Sequence, residues 1–482
     1  MLSRPINVDK SYTPQTDKMD LKKQSMQISL LPGLLVSIIL FLLIGCGSAL
    51  DKDVEKIVLT GNEKYLSNNS DYIFDQDRLH TFELRLSKTS LEKIDADPAE
   101  EEYVEGSLIF DGETISPVGI RYKGSVGAFV GGLSGKDWGN PSGYKTATKL
   151  SLKIKINWDD TDTTFYGLKK LQFHSQNLDF TQMHERLGYW LFREMGVTSP
   201  RSVHARIIIN GNYYGLYALT EQIDGRFTQY NFSDGSGNLY KEVWPLSMYG
   251  QSQPDSTYLV KLKTNEDENP SAELIQTFAR EIADSNAETI QGVIGKWMDI
   301  DKIMAFIAVD RAVSVDDGPF HWYAGDHGTA NHNYYWYEDP TEERLYLIPW
   351  DLDNAFENII TNLNQITEIA DEWGEITNEG APFPYGQLQF WQRSAAADKL
   401  TTGWVSFESE YKQAQKQLLQ GPLSESVINA RLDAWMDQIR AATLEASKLH
   451  EDAVSIELWE HSVNYLKTCL DYARKKLEKQ IE

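Results

Sequence analysis

The chain has 482 residues, 41% of them hydrophobic, which is enough to bury a substantial core in one large two-lobed domain or two ordinary ones. Its 71 acidic residues against 46 basic ones give a formal charge of -25, which argues against nucleic acid or an anionic membrane surface as the main partner, since phosphate-bearing surfaces attract Lys and Arg. Two cysteines, Cys46 and Cys469, can build neither a disulfide framework nor a Cys-based zinc site, so a hydrophobic core has to hold the fold by itself.

In chain order, the first feature is an apolar run over residues 28–45, preceded by Lys22 and Lys23 and followed by Gly47 and Ser48. That is the layout of a positive n-region, an apolar h-region and a cleavage site. Leu43-Ile44-Gly45-Cys46 resembles a bacterial lipobox, in which a small residue precedes a cysteine that is acylated and becomes the new N-terminus. A run of this length can also just span a bilayer as an uncleaved anchor, and either reading places the body outside the cytoplasm. Residues 1–45 are therefore read as a signal peptide, with lipidation at Cys46, and the polar stretch 46–79 as a lipid-anchored tether.

From His80 the pattern becomes that of strands. Residues 81–86 alternate, 90–96 suit one or two helical turns, and 105–110 with 118–122 suggest a hairpin about Asp111-Gly112. Residues 124–143 are too glycine-rich for a regular element and read as a loop. Residues 150–156 alternate again, with Leu152, Ile154 and Ile156 on one face and Lys153 and Lys155 on the other. An amphipathic helix is predicted over 181–195, ended by Gly196, and Asn210-Gly211 marks a type I′ hairpin between 203–209 and 213–219. Beyond residue 271 the period turns helical over 273–284, 287–297 and 300–315. Short strands at 334–337 and 345–348 interrupt it, and 403–450 and 452–479 read as long amphipathic helices.

The block 312–356 carries the chemistry. It places Asp316 and Asp317 at the end of a helix, Asn333 at the start of a strand, and Asp351 and Asp353 after a second strand. Phosphoryl transfer uses such a set: one carboxylate orients or deprotonates the acceptor hydroxyl, while another carboxylate and an amide hold the metal that neutralises the phosphates. Between Asn333 and Asp351 there is chain enough for a turn joining two short strands. The longer stretch from Asp317 to Asn333 is read as an insertion carrying Trp322, Tyr323 and His327.

The strings RYKG (121–124), KLSLKIKI (149–156), FYGL (165–168), ERL (185–187) with REMGV (193–197), NGNYYGLY (210–217), EQID (221–224), NLYK (238–241), HNYY (332–335) and PWDLD (349–353) occur in this order. Together they resemble the CotH (spore-coat protein H) kinase-like family over about residues 80–360. The resemblance implies an α+β chain with an atypical two-lobed protein-kinase-like fold, a strand-rich N-lobe and a helical C-lobe. The kinase-like domain would run over 80–400, with the 401–482 helices packed on the C-lobe.

It also implies ATP- and metal-dependent phosphoryl transfer, with Mg2+ or Mn2+, to Ser or Thr of an exported or cell-envelope protein. Residue by residue, Asp317 matches the catalytic Asp, Asn333 a metal partner and Asp351 of PWDLD the metal-binding Asp, with Asp353 beside it; Asp316 competes with Asp317. Kinase chemistry further needs a lysine on the phosphates held by a helix glutamate. Lys153 and Glu185 are the expected pair, Lys149 and Lys155 remain rivals, and Arg121 or Lys123 would add positive charge. Glu221 and Asp224 of EQID are read as capping residues. Two other function classes stand beside the kinase: a non-catalytic pseudokinase or adhesin, and a nucleotidyl (AMP) transferase on the same fold.

Overall fold

The computed structural model describes residues 69–482 except 125, 138, 267–269, 326–327, 361–382, 386–387 and 482, so the apolar run 28–45 and Cys46 lie outside the described residues. Seven strands close a barrel: β1 (His80–Leu86), β2 (Val104–Phe110), β3 (Glu113–Tyr122), β4 (Leu152–Lys155), β5 (Lys170–His174), β6 (Ser202–Ile209) and β7 (Asn212–Thr220). Their order is β1-β2-β3-β4-β5-β7-β6, closed by a parallel pairing of β1 with β6 from His80↔Ala205 to Leu84↔Ile209. The alternation read in the sequence decides which way each strand faces, because side chains point in and out with period two. In β4, Leu152 and Ile154 are fully buried in the barrel, and Lys153 and Lys155 point outward. Both hairpin turns are type I′, with positive φ at Asp111 and Gly112 (50° and 82°) and at Asn210 and Gly211 (50° and 80°).

Helix α1 (Lys88–Ala96) and one helical turn, α2 (Val126–Phe129), lie within the barrel region, and α3 (His184–Glu194) follows β5. Gly196 at φ 75° ends α3 as its position predicts. The second half holds α4 (Gly225–Asn231), β8 (Leu239–Lys241), α5 (Asp255–Leu259), α6 (Glu273–Asp284), α7 (Ile290–Trp297) and α8 (Ile300–Val313). Next come β9 (Trp322–Gly325), β10 (Gly328–Ala330), β11 (Tyr334–Asp339), β12 (Arg344–Pro349), β13 (Phe383–Tyr385) and β14 (Leu388–Arg393). The chain ends in α9 (Lys399–Trp404), α10 (Glu408–Gln420), α11 (Glu425–Leu449) and α12 (Ile456–Ile481). No helix among the described residues is long and apolar enough to cross a membrane.

Central strand β11 pairs with β12 and β8, and all six of its residues are buried. Tyr334 and Trp336 face the helical core and Tyr335 and Tyr337 a separate aromatic cluster, so the aromatic run is mostly core, as expected. The predicted continuous helix over 403–450 is broken at Gly421-Pro422, because proline has no N–H to extend α10. The insertion after Asp317 forms β9 and β10, half of a four-stranded sheet with β14 and β13 that the sequence pattern did not reveal.

The C-terminal helices pack on the barrel side as well as on α8. Tyr213 of β7 donates to Ala442 O (3.2 Å), and Trp459 Nε1 donates to Thr181 O (3.0 Å). Arg186 of α3 is 1% exposed, lies 4.2 Å over the Trp435 ring, and donates to Gln76 Oε1 (3.0 Å), Gln76 O (2.6 Å) and Gln438 Oε1 (2.7 Å). Arg186→Ala removes a buried guanidinium together with these bonds and its stacking on Trp435, and is expected to lower stability by on the order of 3 kcal/mol. An unchanged midpoint in urea unfolding would refute this coupling of α3 to α11.

Candidate active site

A cleft of about 790 Å³ opens between the barrel and the β8-β11-β12 sheet, a size that suits a nucleotide. On the barrel side it is lined by Arg121 and Lys123 at the end of β3, Lys153 of β4, His174 of β5 and Glu185 in the first turn of α3. On the opposite side stand Asp316, Asp317, Asn333, Asp351 and Asp353. The glycine-rich loop borders the same space through Gly124, Gly127 and Gly139. A chain of charge -25 thus gathers three basic side chains at one cleft wall.

The β11–β12 ladder brings the acidic residues together. Tyr334 pairs with Pro349, and Trp350 N donates to Asn333 O (3.0 Å), so the residue before β11 and the one after Trp350 become neighbours. Phe356 N donates to Val313 O (2.8 Å), which ties the segment after Asp353 to the end of α8, where the Asp316-Asp317 turn begins. Gly188 completes the arrangement: a Cβ there would stand 2.8 Å from Leu352 Cδ1, so a bare helix face lets the 351–353 turn sit one helical turn from Glu185. Asp317, Asn333 and Asp351, with Glu242 beside Asn333, all have left-handed backbone (φ 61°, 60°, 56° and 52°). Such conformations cost energy in residues other than glycine and collect at functional sites. Each is pinned by its N–H; that of Asp351, for example, donates to Tyr189 Oη at 2.9 Å.

The two adjacent aspartates are not equivalent. Asp316 Oδ1 lies 2.5 Å from His321 Nδ1 and its Oδ2 accepts from Asn358 Nδ2 (2.7 Å), so both oxygens are engaged in holding the turn. Asp317 accepts from Asn333 Nδ2 (3.1 Å) and from the Tyr323 hydroxyl. Burial, reinforced by the Asp351 charge, pushes the Asp317 carboxyl up to about 7, the range in which a carboxylate serves as a base near neutrality.

Asp351, Glu185 and His174 each place a ligand atom within 4.8 Å of the others. Burial, then the Asp351 charge, raises the carboxyls of Asp353 and Glu185 well above the usual range. Crowded carboxylate oxygens with an amide oxygen alongside are the donor set of a hard divalent cation, which relieves this repulsion. Asp351 among these carboxylates therefore fits a divalent cation, and Asp353 and Asn333 line the same cleft.

The basic residues are placed partly as expected. Lys153 lines the cleft, and burial with the charges of Lys170, Lys123 and Arg121 pushes its ammonium down to about 7. Glu185, however, meets His174 rather than Lys153: both of its oxygens lie 2.8 Å from His174 Nδ1, and His174 Nε2 is 2.7 Å from Lys123 Nζ. Arg121 pairs with Glu101 and lies over the Tyr103 ring. Lys149 is outside the cleft. It donates to Leu216 O (2.9 Å) and lies over Tyr217, because residue 149 precedes the start of β4 and strand parity does not apply to it. Lys155 lies over Trp158. In EQID, Asp224 caps α4, as expected, while Glu221 forms a buried pair with Arg201.

The family model for CotH kinase protein matches residues 120–477, about three quarters of the chain. This chain belongs to the CotH kinase family. It is 22% identical over 268 residues to the inner spore coat protein H of Bacillus subtilis (strain 168), covering 54% of this chain and 64% of that protein. The match through residue 477 includes α9 to α12, so in this CotH chain the C-terminal helices belong with the rest, consistent with their contacts to α3, β7 and α8. The sequence did not reveal Glu242, the bond of Tyr323 to Asp317, or the central place of Lys123 and His174. The lysine of RYKG was visible, but its direction depends on how β3 ends beside β4, and His174 carried no spacing signal at all.

Proposed function

We propose that this protein transfers the γ-phosphate of ATP to a Ser or Thr hydroxyl of an exported or cell-envelope protein. The observation that carries the reading is Asp317, held by Asn333 and Tyr323, facing Asp351 and Asp353 in a cleft whose far wall presents Lys123 and Lys153. Asp317 receives the hydroxyl proton as the acceptor oxygen bonds to the γ-phosphorus and the bond to the ADP oxygen breaks. A bound Mg2+ or Mn2+ supplies neutralisation of the phosphate oxygens. Asn333 fixes the Asp317 rotamer, and the lysines hold the phosphate chain in line.

The test is phosphate transfer from γ-labelled ATP by the purified chain, with manganese and with magnesium, to itself and to added proteins. Label transfer that disappears in Asp351→Ala supports the kinase reading. Label transferred only from α-labelled ATP would replace it with an AMP transferase, and failure to bind nucleotide would leave a pseudokinase or adhesin.

We further propose export and membrane attachment through a lipid at Cys46, supported by the apolar run and the small residue before it. Cys46→Ala is expected to abolish incorporation of labelled fatty acid and to release the protein from membranes. Persistent labelling would discard this assignment.

A further inference from the structure

Lysine offers three N–H donors, and among the described residues Lys123 directs one at the His174 ring, with Nζ 2.7 Å from Nε2. Burial, then the Lys123 charge, pushes the His174 imidazole down to about 3, so the ring is neutral and has one N–H and one lone pair. Both Glu185 oxygens stand 2.8 Å from Nδ1, which places the proton on Nδ1 and leaves Nε2 to accept from Lys123. The chain of bonds is directional, and its members come from three elements: the end of β3, the end of β5 and the first turn of α3. Lys123 and His174 are also fixed from outside the chain of bonds. Lys123 N donates to Ser151 O (2.9 Å), and the His174 ring stands edge-on to Trp350 at 5.8 Å and 87°. The Lys123 ammonium is also 5.8 Å from the centre of the Trp350 ring, next to Asp351 in sequence.

Lys153 is placed differently. It faces Arg121 on one side of the ladder and Gln172 on the other, and its nearest charged neighbours are mainly cationic. We propose that Lys123 is the cation that grips the α- and β-phosphate oxygens of a metal-bound nucleoside triphosphate, and that His174 is a positioning residue coupling it to Glu185. This proposal rests on the phosphoryl-transfer reading of the same cleft. A rigid neutral ring replaces a direct Lys–Glu contact and leaves two ammonium donors for phosphate. The rival use of these groups is as metal ligands, given the proximity of His174, Glu185 and Asp351. Both His174 nitrogens are already engaged, so a metal there would have to displace Lys123 or Glu185.

The experiment uses the full chain and the variants Lys123→Ala, Lys153→Ala, His174→Gln and His174→Leu, each checked for folding by thermal melting. Three quantities are measured: Mn2+ binding without nucleotide, Mn2+-dependent binding of a non-hydrolysable ATP analogue, and steady-state transfer. Lys123→Ala is expected to lower kcat about 10²–10³-fold, as when one preorganised donor is removed from a transition state. Lys153→Ala is expected to raise KM by about tenfold or less, the signature of lost uniform binding. His174→Gln, whose amide can donate to Glu185 and accept from Lys123, should retain roughly tenfold more kcat than His174→Leu. Adding His174→Leu to Lys123→Ala should cost little further, because the two act as a unit.

A larger kcat loss in Lys153→Ala than in Lys123→Ala overturns the proposal. So does loss of nucleotide-free Mn2+ binding in His174→Gln, which would make the histidine a metal ligand. If the wild type binds the analogue but transfers no phosphate, the kinase reading fails by itself. The lysine assignment is then decided by analogue affinity, which Lys123→Ala must weaken more than Lys153→Ala. If the wild type does not bind the analogue, both readings fall.

Discussion

Asp351→Ala is expected to abolish phosphoryl transfer, with kcat/KM falling at least about 10³-fold, and to remove metal-dependent nucleotide binding as well. Asp351 follows β12, is fixed by the bond of its own N–H to Tyr189, and its charge adds to burial, the larger cause, in raising the carboxyls of Asp317, Asp353 and Glu185. Removing it should leave the fold in place, since the anchoring bond is made by the backbone, and should lower those three carboxyls partway, with the burial part of each shift remaining. Isothermal titration with Mn2+ and an ATP analogue, beside the transfer assay, separates lost metal binding from lost chemistry. A variant that binds metal and nucleotide as the wild type does would take Asp351 out of the metal site.

Asp317→Asn is expected to lower kcat by about 10²–10⁴-fold with little change in KM for ATP, since a general base acts on the acceptor proton rather than on the nucleotide. The isosteric amide keeps the volume beside Asn333 and Tyr323, so unfolding is not the expected cause. The wild-type pH profile tests the same assignment. Burial and the Asp351 charge both disfavour the Asp317 anion and raise its carboxyl to about 7, and a base must be ionised to act. kcat/KM should therefore rise with pH through about 7 and level off above it. Saturating metal at Asp351 cancels part of that repulsion and should move the inflection to lower pH. A flat profile between about pH 5.5 and 8 would remove Asp317 as the base. Asp316→Asn offers the contrast: its oxygens hold His321 and Asn358, so its effect should fall mainly on the stability of the turn.

The parts of the site that could be read from the sequence are those carried by short-range rules. The hairpin at Asn210-Gly211, the outward direction of Lys153 and the C-cap at Gly196 each follow from a local conformational preference, and each is where the pattern puts it. The adjacency of Asn333 and Asp351 was also within reach, because an antiparallel hairpin makes its first and last residues neighbours. The β9–β10 and β13–β14 strands were not legible. Their segments are short and carry no sustained alternation, so their pairing is a tertiary result.

The amino-acid sequence alone made legible the α+β class, the family resemblance and the candidate set of Asp316 or Asp317, Asn333 and Asp351, since periodicity, turn chemistry and ordered motifs are properties of neighbouring residues. Tertiary structure decided which of two adjacent aspartates has its oxygens tied up in the turn and which lysine is linked to Glu185 through His174. The left-handed turn at Asp317 and the register of β3 on β4 settle those choices, and both depend on contacts between segments far apart in the chain. Alternation assigns a lysine to a face of a sheet. Only the closing of the barrel against α3, with His174 between them, assigns it a partner.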